Sequence, residues 1–401
     1  MSQASETIII VGAGIVGSAL AHFLTSSPTS RNIAIIDRSF SPLLGSTGHA
    51  PGFVGQFNES QVLTKLAVES VLEYNKIPGG FDTVGGLEVA FQHAGCERLR
   101  SRCASATQLG LAAEVLSMGE AHALAPELVN MSDSGAAVFF PTDGTANAGR
   151  ITSFYQDEAE KSGSHFVQGD VEKLLLTSDG RIKGVQVLYN GSVKQLDADK
   201  VIITTGIWAQ DLCRDLDFPV PVIPVGHPYM HGQERNPLPR KSPFVRWPEH
   251  HVYARDHGSQ YGLGSYDHQP VGCRSTDGTA IGDWIPDFQQ TLKSAKRLLP
   301  PAAAAEFEHG KSFNGIFSMT PDNMPLAGAV RSTPGLHMAV AVWVTHAAGT
   351  AKFLARLIDE AAVDQATLAA LQPERFAGQD FAILEEQSLC GYNSIYKTVA
   401  K

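Results

Sequence analysis

Positive charge is in short supply in this chain: 31 Lys and Arg stand against 41 Asp and Glu, a net charge of −10. A surface that follows nucleic-acid phosphates needs the opposite balance, so no nucleic-acid partner is expected. Cysteine is scarce as well. Cys96, Cys103, Cys213, Cys273 and Cys390 form no C-x-x-C pair, and an odd set of five suits reduced thiols better than a disulfide framework. No basic segment precedes the apolar stretch 8–24, where Glu6 stands instead of a secretory n-region. The apolar stretch 336–358 is broken by His337, His346 and Lys352, which argues against a membrane span. The closing "YKTVAK" carries no lipid or organelle address. These absences lead to the expectation of a soluble, cytoplasmic chain. At 43% hydrophobic residues over 401 positions, it has apolar material for a substantial core in two or three domains.

The chain then reads as alternating structure. "TIIIVGAGIVGSALAHFL" is strand, tight turn, helix, and "NIAIID" (32–37) is a second apolar strand ending in an acid. Helical spacing covers 61–76, 147–161 with Asn147 as N-cap, 286–309 with a break at Pro300-Pro301, and about 347–361. Between 171 and 206 the pattern is a meander, with Asp179-Gly180 and Asn190-Gly191 as hairpin turns before the buried run "VIITTG". "HHVYARD" and "QYGLGSY" suggest antiparallel strands in a middle region rich in Pro, His, Tyr and Arg. Parallel and antiparallel signals interleave, so two interleaved domains are expected.

Gly12-x-Gly14-x-x-Gly17 falls where the first strand meets the first helix. Glycines there permit a tight turn and let backbone N–H groups approach a pyrophosphate, with Ile15 and Val16 opening the helix. Asp37, 20 residues beyond Gly17, ends the second strand where an acid can accept hydrogen bonds from a ribose, with Arg38 beside it. The fingerprint fits either NAD or FAD. A glycine-rich stretch so soon after Asp37, and the late segments "VIITTGIWA" and "FSMTPDNMPLAG", favour FAD, whose long body must be met repeatedly along the chain.

That stretch, "LLGSTGHAPGFVGQ" (43–56), reads as a surface loop with almost no charge around a single His49. A loop histidine can cap or hydrogen-bond backbone; what else it does depends on its setting. Six histidines, His227, His231, His250, His251, His257 and His268, crowd the middle region. Pro228 spoils helical spacing between the first two and no Cys or H-E-x-x-H joins them, so no metal site is expected. Arg246 and Arg255 are read as surface arginines, with a fork for a substrate carboxylate as the alternative.

Taken in order, "VGAGIVG", "GSTGHAPGFVGQFN", "VGGLEVA", "FPTDG", "GHPYMHG", "YGLGSYDHQP", "FNGIFSMTPDNMPLAG" and "AVWVTHAAGTAKFLARLI" resemble the D-amino-acid-oxidase-like family of FAD amine oxidoreductases. Within it the likeness is to the flavin part of dimethylglycine oxidase and of the dimethylglycine and sarcosine dehydrogenases. "RFAGQDF…NSIY" (375–396) resembles the segment that joins that part to a following folate-binding domain, and 366–401 is expected to be a C-terminal extension without that domain. The resemblance implies an α/β fold of glutathione-reductase/D-amino-acid-oxidase type, in which a Rossmann-like FAD-binding domain interleaves with an antiparallel-sheet substrate domain. It places FAD-binding parts at about 1–80, 145–215 and 315–365, and substrate-binding parts at about 81–144 and 216–314.

It also implies roles. His49 would be bonded to the flavin 8α carbon, which a neutral imidazole can attack, with Ser46 and Thr47 as hydroxyl donors and Gly48 and Phe53 as close neighbours. Val171, Thr205, Gly206 and Trp208 would meet the cofactor from the later segments. Trp343, Val344, Thr345, His346 and Ala347 would pass the ring and open a helix whose N-terminus stabilises reduced flavin. His227 and Tyr253 would stand beside the substrate and deprotonate or orient an amine, with Tyr261 as the fallback and ordinary sheet residues as the plain alternative.

The implied activity is oxidation of a secondary or tertiary N-methyl amino acid or amine. A hydride passes to flavin, the imine hydrolyses, and O2 is reduced to hydrogen peroxide. A dehydrogenase that passes electrons to a carrier such as an electron-transfer flavoprotein is the alternative. A flavin-binding protein without turnover and an NAD enzyme are the other readings.

Overall fold

A computed structural model describes residues 5–132, 134–275 and 277–395. The closing residues 396–401, which hold "YKTVAK" and the last residue of "NSIY", lie outside them.

The first strand, Glu6–Val11, is flanked in parallel by Arg31–Asp37 and Lys200–Ile203. His165–Gln168 and Leu336–Val340 extend the sheet in parallel, and Leu326–Ala329 closes it antiparallel. These strands read as unbroken apolar runs because both faces are covered. Ile8, Ile10, Ile33, Ile35 and Ile202 face the helices Ile15–Thr25, Gln61–Tyr74, Ala148–Lys161 and Ala347–Ile358. Ile9, Val11, Ile36, Val201 and Ile203 face the opposite way, onto Leu174, Ile182, Val185 and Val187 of the meander. The helix Ala148–Lys161 starts where the sequence expects, with the Asn147 side chain accepting from Arg150 N–H.

The meander's strands, Asp170–Leu176, Ile182–Tyr189 and Ser192–Asp197, pair antiparallel. Its second turn has positive φ at both Asn190 and Gly191, the two-residue geometry that Asn-Gly favours.

A second, nine-stranded sheet draws its strands from 86–140 and 223–319. It runs antiparallel except where Phe244–Trp247 lies parallel to Gly86–Ala90. Helices Met118–Leu124 and Asp287–Lys296 pack against it through Leu87, Val245, Trp247, Leu263 and Leu292, and the helical stretch breaks at Pro300 as expected. The helix His93–Gln108 has no counterpart in the sequence reading. Its buried stripe of Cys96, Leu99, Cys103 and Ala106 has helical spacing but little apolar weight.

The stretch 43–56 is not a surface loop. It makes a tight turn at Ser46–His49 and a short strand, Phe53–Val54, that pairs with Gly144–Ala146 between the two large sheets. Gly52 has φ +76°, and a Cβ there would lie 2.1 Å from the Ala146 carbonyl oxygen, so the backbone passes where a side chain has no room.

A Cβ at Gly17 would sit 1.9 Å from the Gly12 carbonyl oxygen and 2.6 Å from Thr204 Oγ1. Gly17→Ala is therefore expected to push the first helix off its strand and cost about 3 kcal/mol in denaturant unfolding. Gly149→Ala, on a helix with no backbone nearby, is expected to leave stability unchanged or raised.

Candidate active site

One cavity of about 570 Å³ runs from the glycine turn to the nine-stranded sheet. At its first end Gly12 adopts φ +104° and donates its N–H to the Ile36 carbonyl at 2.8 Å. Thr204 Oγ1 lies 2.8 Å from both the Val11 and Gly12 carbonyl oxygens. It leaves the strand Lys200–Ile203 at the point where the turn needs a hydroxyl, and the run "VIITTG" held that signal unread. The Asp37 carboxylate accepts from Ala13 N–H at 2.6 Å and from Ser39 N–H at 3.0 Å. It thus holds the turn, and its remaining lone pairs face the cavity with Arg38, whose guanidinium lies 4.2 Å over the Trp208 ring.

Thr47 Oγ1 accepts from Ile15 N–H at 3.2 Å, which ties the 43–56 stretch to the start of the first helix. Ser46 donates to the Ile316 carbonyl at 3.0 Å. Between these ends, His49 Nε2 and Thr205 Oγ1 are buried with no hydrogen-bond partner among the described residues, and both residues line the cavity. Such groups are costly unless something satisfies them. The positive helix start, the bare Gly12–Gly14 backbone and these two atoms fit a phosphate-bearing cofactor with a polar body.

Of the expected cofactor residues, Gly14, Ile15, Val16, Phe53, Val171, Gly206, Trp343, Val344, Thr345 and His346 also line this cavity. Gly17, Gly48 and Ala347 do not. Gly17 is packing against Gly12. A Cβ at Gly48 would meet the Leu43 carbonyl at 2.2 Å, so that glycine serves the turn. Ala347 is fully buried, and the N–H groups after it, of Ala348 and Gly349, donate to Tyr74 Oη and Ser70 Oγ. The preceding turn, Val344–His346, is what faces the cavity. Burial lowers the His346 pKa to about 4 and also lowers that of His49, so both rings are neutral at pH 7.

At the far end the strands Ile223–His231 and Val252–Asp256 bring together the two residues expected beside the substrate. His227 Nε2 lies 2.7 Å from Tyr253 Oη, and the rings stand almost parallel. His227 Nδ1 lies 2.6 Å from Tyr392 Oη, on the helix Phe381–Asn393. Burial, with a smaller effect of His268, holds the His227 pKa well below the usual value. Tyr392 was not foreseen, since nothing local marks a lone tyrosine in a tail helix. Tyr261 stays off the cavity, under the Arg235 guanidinium.

Arg246 lines the cavity, with its guanidinium carbon 5.5 Å from the Phe53 ring centre, and pairs with Glu88 at 2.8 Å. Glu88 also binds Arg102, which reaches Glu59. Arg255 donates instead to the Pro51 and Asp256 carbonyls and is not on the cavity. Neither arginine is the exposed surface residue its type suggests: Arg246 is 9% exposed and Arg255 half-buried.

Among the described residues, no group of three His, Cys, Asp or Glu is placed to hold a metal ion. The crowded histidines have other neighbours, such as Tyr229 Oη at 2.8 Å from His257 Nε2. No helix of the described residues is long and apolar enough to cross a membrane.

Residues 7–357 match the family described as DAO, FAD dependent oxidoreductase. The chain belongs to this family. Among its relatives, 4-methylaminobutanoate oxidase (formaldehyde-forming) of Paenarthrobacter nicotinovorans is 24% identical over 388 residues, covering 89% of this chain and 45% of the relative. Mitochondrial dimethylglycine dehydrogenase of Homo sapiens is 25% identical over 383 residues, covering 87% of this chain and 42% of the relative. The chain thus spans less than half the length of either. L-proline dehydrogenase from P. horikoshii shares the fold, with a TM-score of 0.79 at 20% identity over 93% of this chain and 98% of that one. Glycine oxidase from Bacillus cereus does so at a TM-score of 0.73 and 20% identity, over 92% and 99%.

Beside Arg246 and Glu88 sits Asp143, fully enclosed, its carboxyl accepting from Gln56 N–H at 2.9 Å. Burial raises its pKa to about 7. A carboxyl whose folded pKa lies above its unfolded value, near 4, stabilises the fold fully below that value and loses this as pH rises through about 7. Asp143→Asn has no proton to lose. Its melting temperature relative to the wild type is expected to climb by several degrees between acid and alkaline buffers, and a constant difference across pH would contradict this.

Proposed function

We propose that this chain oxidises a secondary or tertiary N-methyl amino acid or amine, with FAD attached covalently at His49. The observation that carries the reading is the shared cavity: an imidazole with a buried, unpartnered nitrogen lies along the same space as the His227–Tyr253 pair. When bound, FAD accepts a hydride from the carbon next to the substrate nitrogen. The protein's own part is to hold, orient and deprotonate.

Burial keeps His49 neutral, the state in which an imidazole nitrogen is a nucleophile. The pair His227–Tyr253 meets the substrate nitrogen and keeps it in the unprotonated form that can release a hydride. Arg246, at the wall near Phe53, pairs with the substrate carboxylate when there is one. The aromatic walls of Tyr229, Phe313, Phe317 and Trp343 exclude water from the reacting carbon. The oxidised substrate, an imine, takes up water and divides into amine and aldehyde. The named substrates of the two relatives, both N-methyl amino acids, support this class. We assign cofactor binding to about 1–80, 145–215 and 315–365, and substrate binding to about 81–144 and 216–314.

Two measurements test the proposal. Acid precipitation followed by peptide mass analysis is expected to leave the yellow colour on the peptide containing His49, and His49→Ala is expected to release it to the supernatant. Colour released from the wild type would refute the covalent bond. Anaerobic addition of sarcosine, dimethylglycine or 4-methylaminobutanoate is expected to bleach the flavin, and air to restore it with hydrogen peroxide. Slow return in air would assign electron transfer to a carrier protein instead, and no bleaching by any amine would refute the activity.

A further inference from the structure

The Tyr392 hydroxyl stands between two imidazoles, His227 Nδ1 at 2.6 Å and His268 Nε2 at 2.9 Å. Beyond His227, Nε2 meets Tyr253 Oη at 2.7 Å. Beyond His268, Nδ1 meets the Gln269 carbonyl oxygen at 2.9 Å. Four side chains from separate parts of the fold thus make one line of hydrogen bonds. It starts at Tyr253 on the cavity wall and ends at His268, which is half-buried and off the cavity.

The direction of every hydrogen in this line follows from one atom. A carbonyl oxygen only accepts, so His268 Nδ1 carries a hydrogen. Burial lowers the basicity of both rings, so each is neutral and holds a single N–H. His268 Nε2 therefore accepts, and Tyr392 donates to it. Tyr392 in turn accepts from His227 Nδ1–H. His227 Nε2 is then the acceptor for the Tyr253 hydroxyl. With its own hydrogen directed to His227, Tyr253 meets a cavity-side N–H as an acceptor.

We propose that Tyr253, His227, Tyr392 and His268 form a directed relay that carries the proton of a protonated substrate amine out of the cavity. The proposal rests on the amine-oxidation reading above. The substrate N–H bond breaks toward Tyr253 Oη as the Tyr253 hydrogen passes to His227 Nε2. The His227 Nδ1 hydrogen passes to Tyr392 Oη as the Tyr392 hydrogen passes to His268 Nε2. One proton enters, one arrives on His268, the three groups between remain neutral, and no electron moves. The neutral amine is left in place. Around His268, the Asp267 carboxylate on its own loop favours the cation, while Phe288, with its ring centre 4.5 Å away, brings no charge from the neighbouring helix. Tyr392 and His227 are its other titratable neighbours. Neither Tyr392 nor His268 lines the cavity; they are positioning residues for the His227–Tyr253 pair.

Tyr392→Phe keeps the ring and removes the link, and His268→Gln removes the terminal base at a half-buried site. In the holoenzyme, kcat/KM for an N-methyl amino acid is expected to fall on the order of tenfold in either variant at pH below the amine pKa. The deficit is expected to shrink as pH rises and the amine enters already neutral. Added imidazole is expected to restore His268→Gln. Nitrogen-15 NMR of the imidazoles is expected to show Nδ1–H on His227 and His268 in the wild type, and a mixture at His227 in Tyr392→Phe. An equal deficit at every pH without rescue, or Nε2–H on His227 in the wild type, would overturn the relay. A holoenzyme that no amine reduces would overturn the function proposed above and with it the substrate end of the relay, while the tautomers would still decide the direction of the line.

Discussion

Desolvation of imidazole is the constraint on which this site turns. His49, His227 and His346 all face one cavity, and burial is the first cause of the lowered basicity of each. A cationic ring in that setting has lost its water; His227 and His346 gain no carboxylate in return, and Asp277 offsets only part of the loss at His49, so the neutral form prevails. A neutral imidazole donates from one nitrogen and accepts at the other, whereas a cation only donates. Directionality in the hydrogen-bond line, and a nitrogen lone pair at His49, are therefore two consequences of one solvation effect.

At the substrate end of the cavity wall, Arg246 is a well-braced charge. The parallel pairing of Phe244–Trp247 with Gly86–Ala90 sets Arg246 opposite Glu88. Sliding one strand by one residue would turn its charge to the other face and strand the two apart. A buried ion pair contributes little net stability, but breaking one leaves an uncompensated charge. The pair thus holds the register and, through it, the position of a cation beside Phe53. Arg102 and Glu59 continue the network toward the surface, which leaves the Arg246 guanidinium oriented rather than mobile.

The half of the fold built on the mostly parallel sheet was legible because its signals are local. Continuous apolar runs mark strands covered on both faces, the Gly12–Gly17 spacing marks the tight turn, and Asn190-Gly191 marks a hairpin. Each lies within a few residues of what it specifies. The pairing of His227 with Tyr253 came from a resemblance rather than from spacing. What escaped was of another kind. Thr204 bonds to a turn that lies 193 and 192 residues earlier, and Tyr392 meets His227 across 165 residues. Such contacts are made by the fold, and no window of sequence contains both partners. The mistaken surface loop at 43–56 has the same origin. Glycine and proline speak of turns, but only the approach of Ala146 and Ile15 shows that these turns are covered.

The tail helix shows how far this goes. Phe381–Asn393, within the stretch that resembles a joining segment, also completes the aromatic cluster of Tyr229, Tyr253 and Tyr266. Its end is pinned on both sides of Tyr392. Asn323 donates to the Gly391 carbonyl at 3.1 Å, and Asn393 donates to the Tyr266 and His268 carbonyls at 2.7 and 3.0 Å. The same Asn393 amide that anchors the helix therefore grips the backbone of His268, the residue on the far side of the Tyr392 hydroxyl. Side-chain amide hydrogen bonds to backbone carbonyls on either side leave that hydroxyl little freedom to swing, and a hydroxyl between two imidazoles transfers a hydrogen only while both distances stay short. The helix is thus part of the site's geometry, and its anchoring explains why a residue 165 positions from His227 can be held within 2.6 Å of it.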